Sequence, residues 1–252
     1  MALVVCSSAD VSALWAYRSL RAQGFGSLEL ITGEMLALST CWEHRLGASG
    51  MSTAFTLAEG RRIASGEISG VLNRLVAPPE ALIAQSVPAD REYIQQELTA
   101  LYLSWLNALS VPVVNRPTPQ GLAGRWRHTA EWAIVADEAG FSVPVYRQTG
   151  HDGPERGYAS LAPAAALLTQ VIVFDGDTFG ATVPDAVRAR CVRLAELSGT
   201  EMLGVDLFAT PGDHWTFACA TPLPDLQIGR DALLQRLGRI IANGGIGNGG
   251  QA

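Results

Sequence analysis

The stretch from Glu201 to Pro224 constrains this chain more than any other. Two short runs, Met202 to Ala209 and His214 to Cys219, flank Thr210-Pro-Gly-Asp213. Apolar runs on either side of a Pro-Gly-Asp cluster predict a β-hairpin. The segment before it is equally readable. Gln170 to Phe174 and Thr178 to Val183 flank Asp175-Gly-Asp177, which predicts another hairpin with an Asp-Gly turn. Pro184 then opens an amphipathic helix predicted over Asp185 to Ser198. A hairpin, a helix and a hairpin in that order describe an α+β unit.

The first part of the chain has a different grammar. Leu3 to Cys6 is a short apolar run of the kind buried in parallel sheets. Asp10 is a good N-cap for a helix carrying Val11, Leu14, Trp15 and Leu20 and ending near Gly24. Leu28 to Thr32 is the next strand, so the opening is β-α-β and predicts an open α/β sheet. Thr53 to Leu57, Arg61 to Ala64 and Ile68 to Leu75 read as further strands. A helix over Asp90 to Leu109 places Tyr93, Leu98, Leu101, Tyr102 and Trp105 on one face, where aromatics are expected as core. Val111-Pro-Val-Val-Asn115 reads as a buried strand. Thr118 is then expected to cap a helix running through Arg125, Trp126, Ala130 and Trp132 to Gly140, and Phe141 to start a new strand.

Composition removes several classes of function. With 48% hydrophobic and 17% charged residues, the chain can bury a sizeable core. Net charge is −6 without a long basic run, so no non-specific grip on nucleic acid is expected. No stretch approaches the ~18 apolar residues of a membrane span. All 18 basic residues are arginine, so no lysine can form a Schiff base or reach a phosphate. Cys6, Cys41, Cys191 and Cys219 are scattered and form no C-x-x-C pair; buried, reduced thiols in a cytoplasmic protein are expected. His44, His128, His151 and His214 share no metal-binding spacing. There is no Walker motif, no dinucleotide fingerprint and no Gly-x-Ser-x-Gly elbow.

Two sets of residues carry a resemblance to a known family. Gly204-Val-Asp-Leu-Phe, the turn, Trp215-Thr-Phe and Thr221-Pro resemble the C-terminal hairpin of ATP-grasp ligases. The order helix, Pro-Val-Val-Asn115, Pro-loop, helix, Ala139-Gly-Phe-x-Val-Pro144 is similar to the segment joining their two domains, and Arg74 matches an edge strand of the RimK-like and graspetide-type members. The resemblance implies a pre-ATP-grasp-like α/β domain over 1–117, a reduced ATP-grasp-like α+β domain over 118–242 and a flexible Gly-rich tail over 243–252. In active members a Glu and an Asn of the second hairpin strand hold the magnesium ions of ATP. The matching positions are read as Ala218 and Ala220, whose methyl groups cannot ligate a hard cation. The family's helix lysine is replaced by Arg125 or Arg127, and Asp206 of the Gly-Val-Asp element is expected to be structural.

Losing metal ligands and lysine removes electrostatic support on the order of several kcal/mol per group from phosphoryl transfer. The expectation is therefore a non-catalytic ATP-grasp-like protein without cofactor, serving a partner enzyme, a peptide or a homodimer mate. The alternative is a ligase that uses ATP and magnesium through displaced groups, with Arg125, Asp175 or Asp177 as candidates.

Overall fold

A computed structural model describes residues 1–47, 50–143, 167–210 and 214–242. The expected His151 loop, the 210–213 turn tip and the Gly-rich tail lie largely or wholly outside the described residues. The chain forms two compact units, Met1–Arg125 together with the chain from Asp231 onward, and Trp126–Arg230. The sequence division instead places all of 118–242 in the second domain.

The first unit is built on a parallel sheet. Strands β1 (Ala2–Cys6), β2 (Leu28–Thr32), β6 (Gly70–Arg74) and β7 (Val113–Val114) lie in the order β2-β1-β6-β7. All five residues of β1 are buried, the signature of a parallel strand covered on both faces. Helix α1 (Val11–Ala22) begins where expected, with the Asp10 carboxylate accepting from the Ala13 amide at 2.9 Å. A short helix α2 (Gly33–Ala37) follows β2. Then β3 (Cys41–Gly47), β4 (Gly50–Thr56) and β5 (Arg62–Ala64) form a separate antiparallel sheet, of which β3 was not anticipated. Helix α3 (Glu80–Ile83) precedes the long α4 (Arg91–Ala108).

The core of this unit is aromatic. Trp42 stacks on Phe55 at 4.9 Å, and Trp105 of α4 meets both edge-on at 5.7 and 5.1 Å. Tyr102 and Trp105 are fully buried as expected, whereas Tyr93 is 65% exposed because it points away from the stripe of Ile94, Leu98, Leu101 and Trp105. Helix α7 (Arg230–Ala242) belongs here too. Gln23 donates to Asp231 at 3.0 Å, and Ser69 donates to the Ile241 carbonyl at 2.9 Å. Gly70 is what lets the helix end come so close: a Cβ there would meet the Ile241 carbonyl oxygen at 2.5 Å.

The second unit is a four-stranded antiparallel sheet, β8 (Leu167–Phe174), β9 (Asp177–Gly180), β10 (Met202–Thr210) and β11 (His214–Thr221), in the order β11-β10-β8-β9. Asp175 and Gly176 turn β8 into β9 with φ of 52° and 73°, as a type I′ turn requires. Helix α5 (Thr129–Glu138) and helix α6 (Asp185–Ser198) cover one face, burying Trp132, Ala136, Cys191 and Leu194 against Val171, Val205 and Phe217. The expected helix start at Thr118 is corrected. Thr118 bridges to Gly121, Gly124 has φ 93°, and α5 begins only at Thr129. His128 caps it, its Nδ1 accepting from the Ala130 amide at 3.3 Å while Glu131 reaches back to the His128 amide at 2.9 Å. No described helix is long and apolar enough to cross a membrane.

Candidate functional site

The hairpin β10–β11 shows two faces of opposite character. Val205, Leu207, Phe217 and Ala220 point into the core beneath the helices. The other face carries Gln170, Asp206 and Cys219, which lie side by side on β8, β10 and β11. A β-bulge sits here: Asp206 opposes Cys219 and Leu207 opposes Phe217, so Ala218 is the extra residue. Ala220 is 4% exposed and packs in the core. Ala218 and Ala220 therefore do not form a pair on the polar face. The side chains of β11 that share the face of Asp206 are Cys219 and, by strand alternation, Thr221.

The polar face is tightly tied. Gln170 donates from Nε2 to Oδ1 of Asp206 at 2.7 Å. Burial raises the Asp206 carboxyl above the ordinary aspartate value, partly offset by that hydrogen bond. The Cys219 thiol is raised as well, by its packing against the sheet and by the nearby Asp206 charge. The Thr221 hydroxyl accepts from the Leu223 amide at 3.1 Å. Gly204 admits Pro224 onto the same face, since a Cβ at 204 would meet the proline ring at 2.8 Å. The Gly-Val-Asp and Thr-Pro-Leu-Pro elements are thus two halves of one packing contact.

The remaining candidates fall elsewhere. Arg127 is not on a helix; it is buried, donating to the Ser198 carbonyl at 2.6 Å, with its guanidinium 5.1 Å from the Trp132 ring centre. It ties down the C-terminal end of α6. Arg125 is exposed in the segment before α5, at the end of the first unit. Asp175 lies in the β8–β9 turn, and Asp177 pairs with Arg188 at 3.3 Å. Among the described residues no group of three or more His, Cys, Asp or Glu side chains comes together as a metal site.

The first unit offers a second location. In an open α/β sheet, ligands bind beyond the C-terminal strand ends where strand order reverses, here between β1 and β6. Arg74 sits at that point, 5% exposed, its Nε 2.8 Å from Asp10 Oδ2. Ser8 donates to Glu34 at 2.8 Å, and Asn73 donates to the carbonyls of Asn115 and Leu122 at 3.0 and 2.6 Å. Burial pushes the Glu34 carboxyl up, but hydrogen bonds from its own backbone amide, Ser8 and Thr32 outweigh it and hold the carboxyl below the usual range. Burial, then the Asp10 charge, pushes the Cys6 thiol up to about 12, so it is inert. The expected burial of all four thiols is corrected: Cys6 and Cys191 are buried, but Cys41 and Cys219 are exposed.

These elements define an ATP-grasp-like fold. Matching solved structures include the macrocyclase MdnC from Microcystis aeruginosa MRC, bound with precursor peptide MdnA, at TM-score 0.65 and 13% identity over 96% of this chain and 99% of that one. A RiPP-associated ATP-grasp ligase from Chryseobacterium gregarium, in complex with ADP and a leader and core peptide, matches at 0.65 and 12% over 96% and 95%. The ATP-grasp ligase PsnB, complexed with precursor peptide PsnA2 and AMPPNP, matches at 0.63 and 17% over 96% and 97%. At such identities the likeness is one of fold. No protein-family model and no curated protein matches the sequence.

Proposed function

We propose that this chain is a non-catalytic ATP-grasp-like protein that binds a peptide without magnesium or ATP. One observation carries the reading: the hairpin face that would meet a metal nucleotide presents Gln170, Asp206, Cys219 and Thr221. That set does not fit magnesium, which takes several hard oxygen ligands with near-octahedral geometry. The thiol is a soft donor, the threonine hydroxyl is engaged by Leu223, and the lone carboxylate is held by Gln170 and disfavoured in its charged form. The chain has no lysine to neutralise a phosphate, and Arg127 is buried with one nitrogen donating to the Ser198 carbonyl. Peptide binding is supported by the three solved proteins of like fold, each of which was captured with a precursor or a leader and core peptide.

Calorimetric titration of the whole protein with ATP and magnesium tests the first half. No saturable heat is expected, and micromolar binding overturns the reading. ADP release in the presence of candidate peptides is the companion assay, with silence expected.

A further inference from the structure

The second unit contains a cavity of about 350 Å³ that lies apart from the Asp206 face. It is walled by Ser142, Pro184, Arg190, His214, Trp215 and Thr216. These residues come from three separate elements, and backbone contacts hold them in register. Ser142 bridges to Thr216, and the Phe217 amide donates to the Ser142 carbonyl at 2.9 Å, so the segment after α5 is sewn to β11. On the opposite wall, Pro184 precedes the first turn of α6, and the Val187 amide donates to its carbonyl at 2.9 Å. The volume falls in the range of pockets that enclose small ligands, about 300–1,000 Å³.

Arg190 distinguishes this cavity from an ordinary surface dip. The other arginines of α6 have acidic partners: Arg188 pairs with Asp177 and Asp185, and Arg193 with Glu196. Arg190 is half-buried on the same helix, yet among the described residues it has no hydrogen-bond or ion-pair partner. Its stem passes Gly140, where a Cβ would stand 3.9 Å from Nε. A planar guanidinium at a cavity wall presents two parallel N–H donors, the geometry a carboxylate accepts bidentately. Serine and threonine hydroxyls nearby add neutral donors, while the Trp215 ring and Pro184 offer apolar walls.

We propose that this cavity binds the carboxylate of a peptide through Arg190, with the adjoining side chain against Trp215 and Pro184. The proposal rests on the peptide-binding reading and assigns it a site. The carboxylate comes from either an acidic side chain or a free C-terminus; the shared chemistry is the anionic group beside an apolar one.

The probes are N-acetyl-phenylalanyl-glutamate, its glutamine counterpart, and the C-terminal amides of both, together with longer acidic peptides. Binding to the full chain is followed by NMR at the Trp215 indole and by titration calorimetry. The expected result is saturable binding of the glutamate or free-acid forms. The doubly neutral amide is silent, and the pair of singly charged probes tells side chain from terminus. Arg190→Gln weakens binding about tenfold or more, Arg190→Lys less, and Arg193→Gln leaves it unchanged. Thermal melts establish that each variant is folded. Binding that persists unchanged in Arg190→Gln overturns the site and leaves the peptide-binding reading standing. Absence of binding by every peptide, in a protein also silent to ATP, overturns both the site and peptide binding.

Discussion

Gln170 holds Asp206 across two strands with a 2.7 Å hydrogen bond, and the amide's own oxygen is buried without a partner. Burial moves the Asp206 carboxyl above its ordinary value, and the Gln170 bond opposes that shift only in part. The folded value is raised above the unfolded one, so the contribution of Asp206 to stability is complete in acid. It is lost as pH rises from the ordinary 3.8 through the folded value. Asp206→Asn removes that loss while keeping a hydrogen-bonding group of the same shape. We expect wild type and variant to agree within about 1 kcal/mol in acid. The variant then gains on wild type as pH rises to neutral, read as urea midpoints across the range. A constant difference across pH counts against the assignment.

The same carboxylate raises the neighbouring Cys219 thiol. Alkylation of the native protein is expected at the exposed Cys41 and Cys219 only. Cys6 and Cys191, both pushed up to about 12 and buried, react after unfolding. In Asp206→Asn, Cys219 reacts faster by a factor below ten, because the thiolate no longer faces a like charge. Mass spectrometry of timed iodoacetamide reactions reads all four sites.

Asp10 performs two jobs with one carboxyl group, capping α1 through Oδ1 and pairing with Arg74 through Oδ2. The Arg74 side chain is 6% exposed, so removing Asp10 takes an opposite charge away from a buried cation. Asp10→Ala is expected to cost about 3–5 kcal/mol. Asp10→Asn keeps the cap, worth about 1 kcal/mol, and should cost correspondingly less. Denaturant unfolding of the two variants separates the cap from the ion pair.

Arg127→Ala removes both the bond to the Ser198 carbonyl and the contact with Trp132. We expect a loss of about 2–4 kcal/mol in stability. A nucleotide role would instead show as an unchanged melting temperature.

Much of the framework was legible because its signals are local. Asp10 with an apolar periodic run, Asp175-Gly176 between β-branched strands, and Pro184 to Gly199 around α6 each reveal an element without tertiary help. β3 was illegible because Cys-Trp-Glu-His-Arg-Leu-Gly mixes charged residues and lacks the alternation of a half-buried strand. Thr118 looked like a helix cap because Thr-Pro-Gln has cap chemistry, but Gly121 and Gly124 turn the chain first. At the candidate site the failure was one of parity. Strand alternation is read by counting, and the bulge at Ala218 adds a residue that counting cannot see. The cavity at Arg190 had no sequence signal, since its walls come together only through the Ser142–Thr216 bridge.

Helix α7 carries a lesson about timing. Its last residues meet Ser69 and Gly70 from 172 positions away in the sequence for the hydrogen bond alone. Everything in the second unit leaves the ribosome before that helix does. The contacts of Gly238 and Ile241 with Phe25 and Gly70 therefore form only after the whole second unit has been synthesised. A closure of such long sequence separation slows folding relative to one built from local contacts.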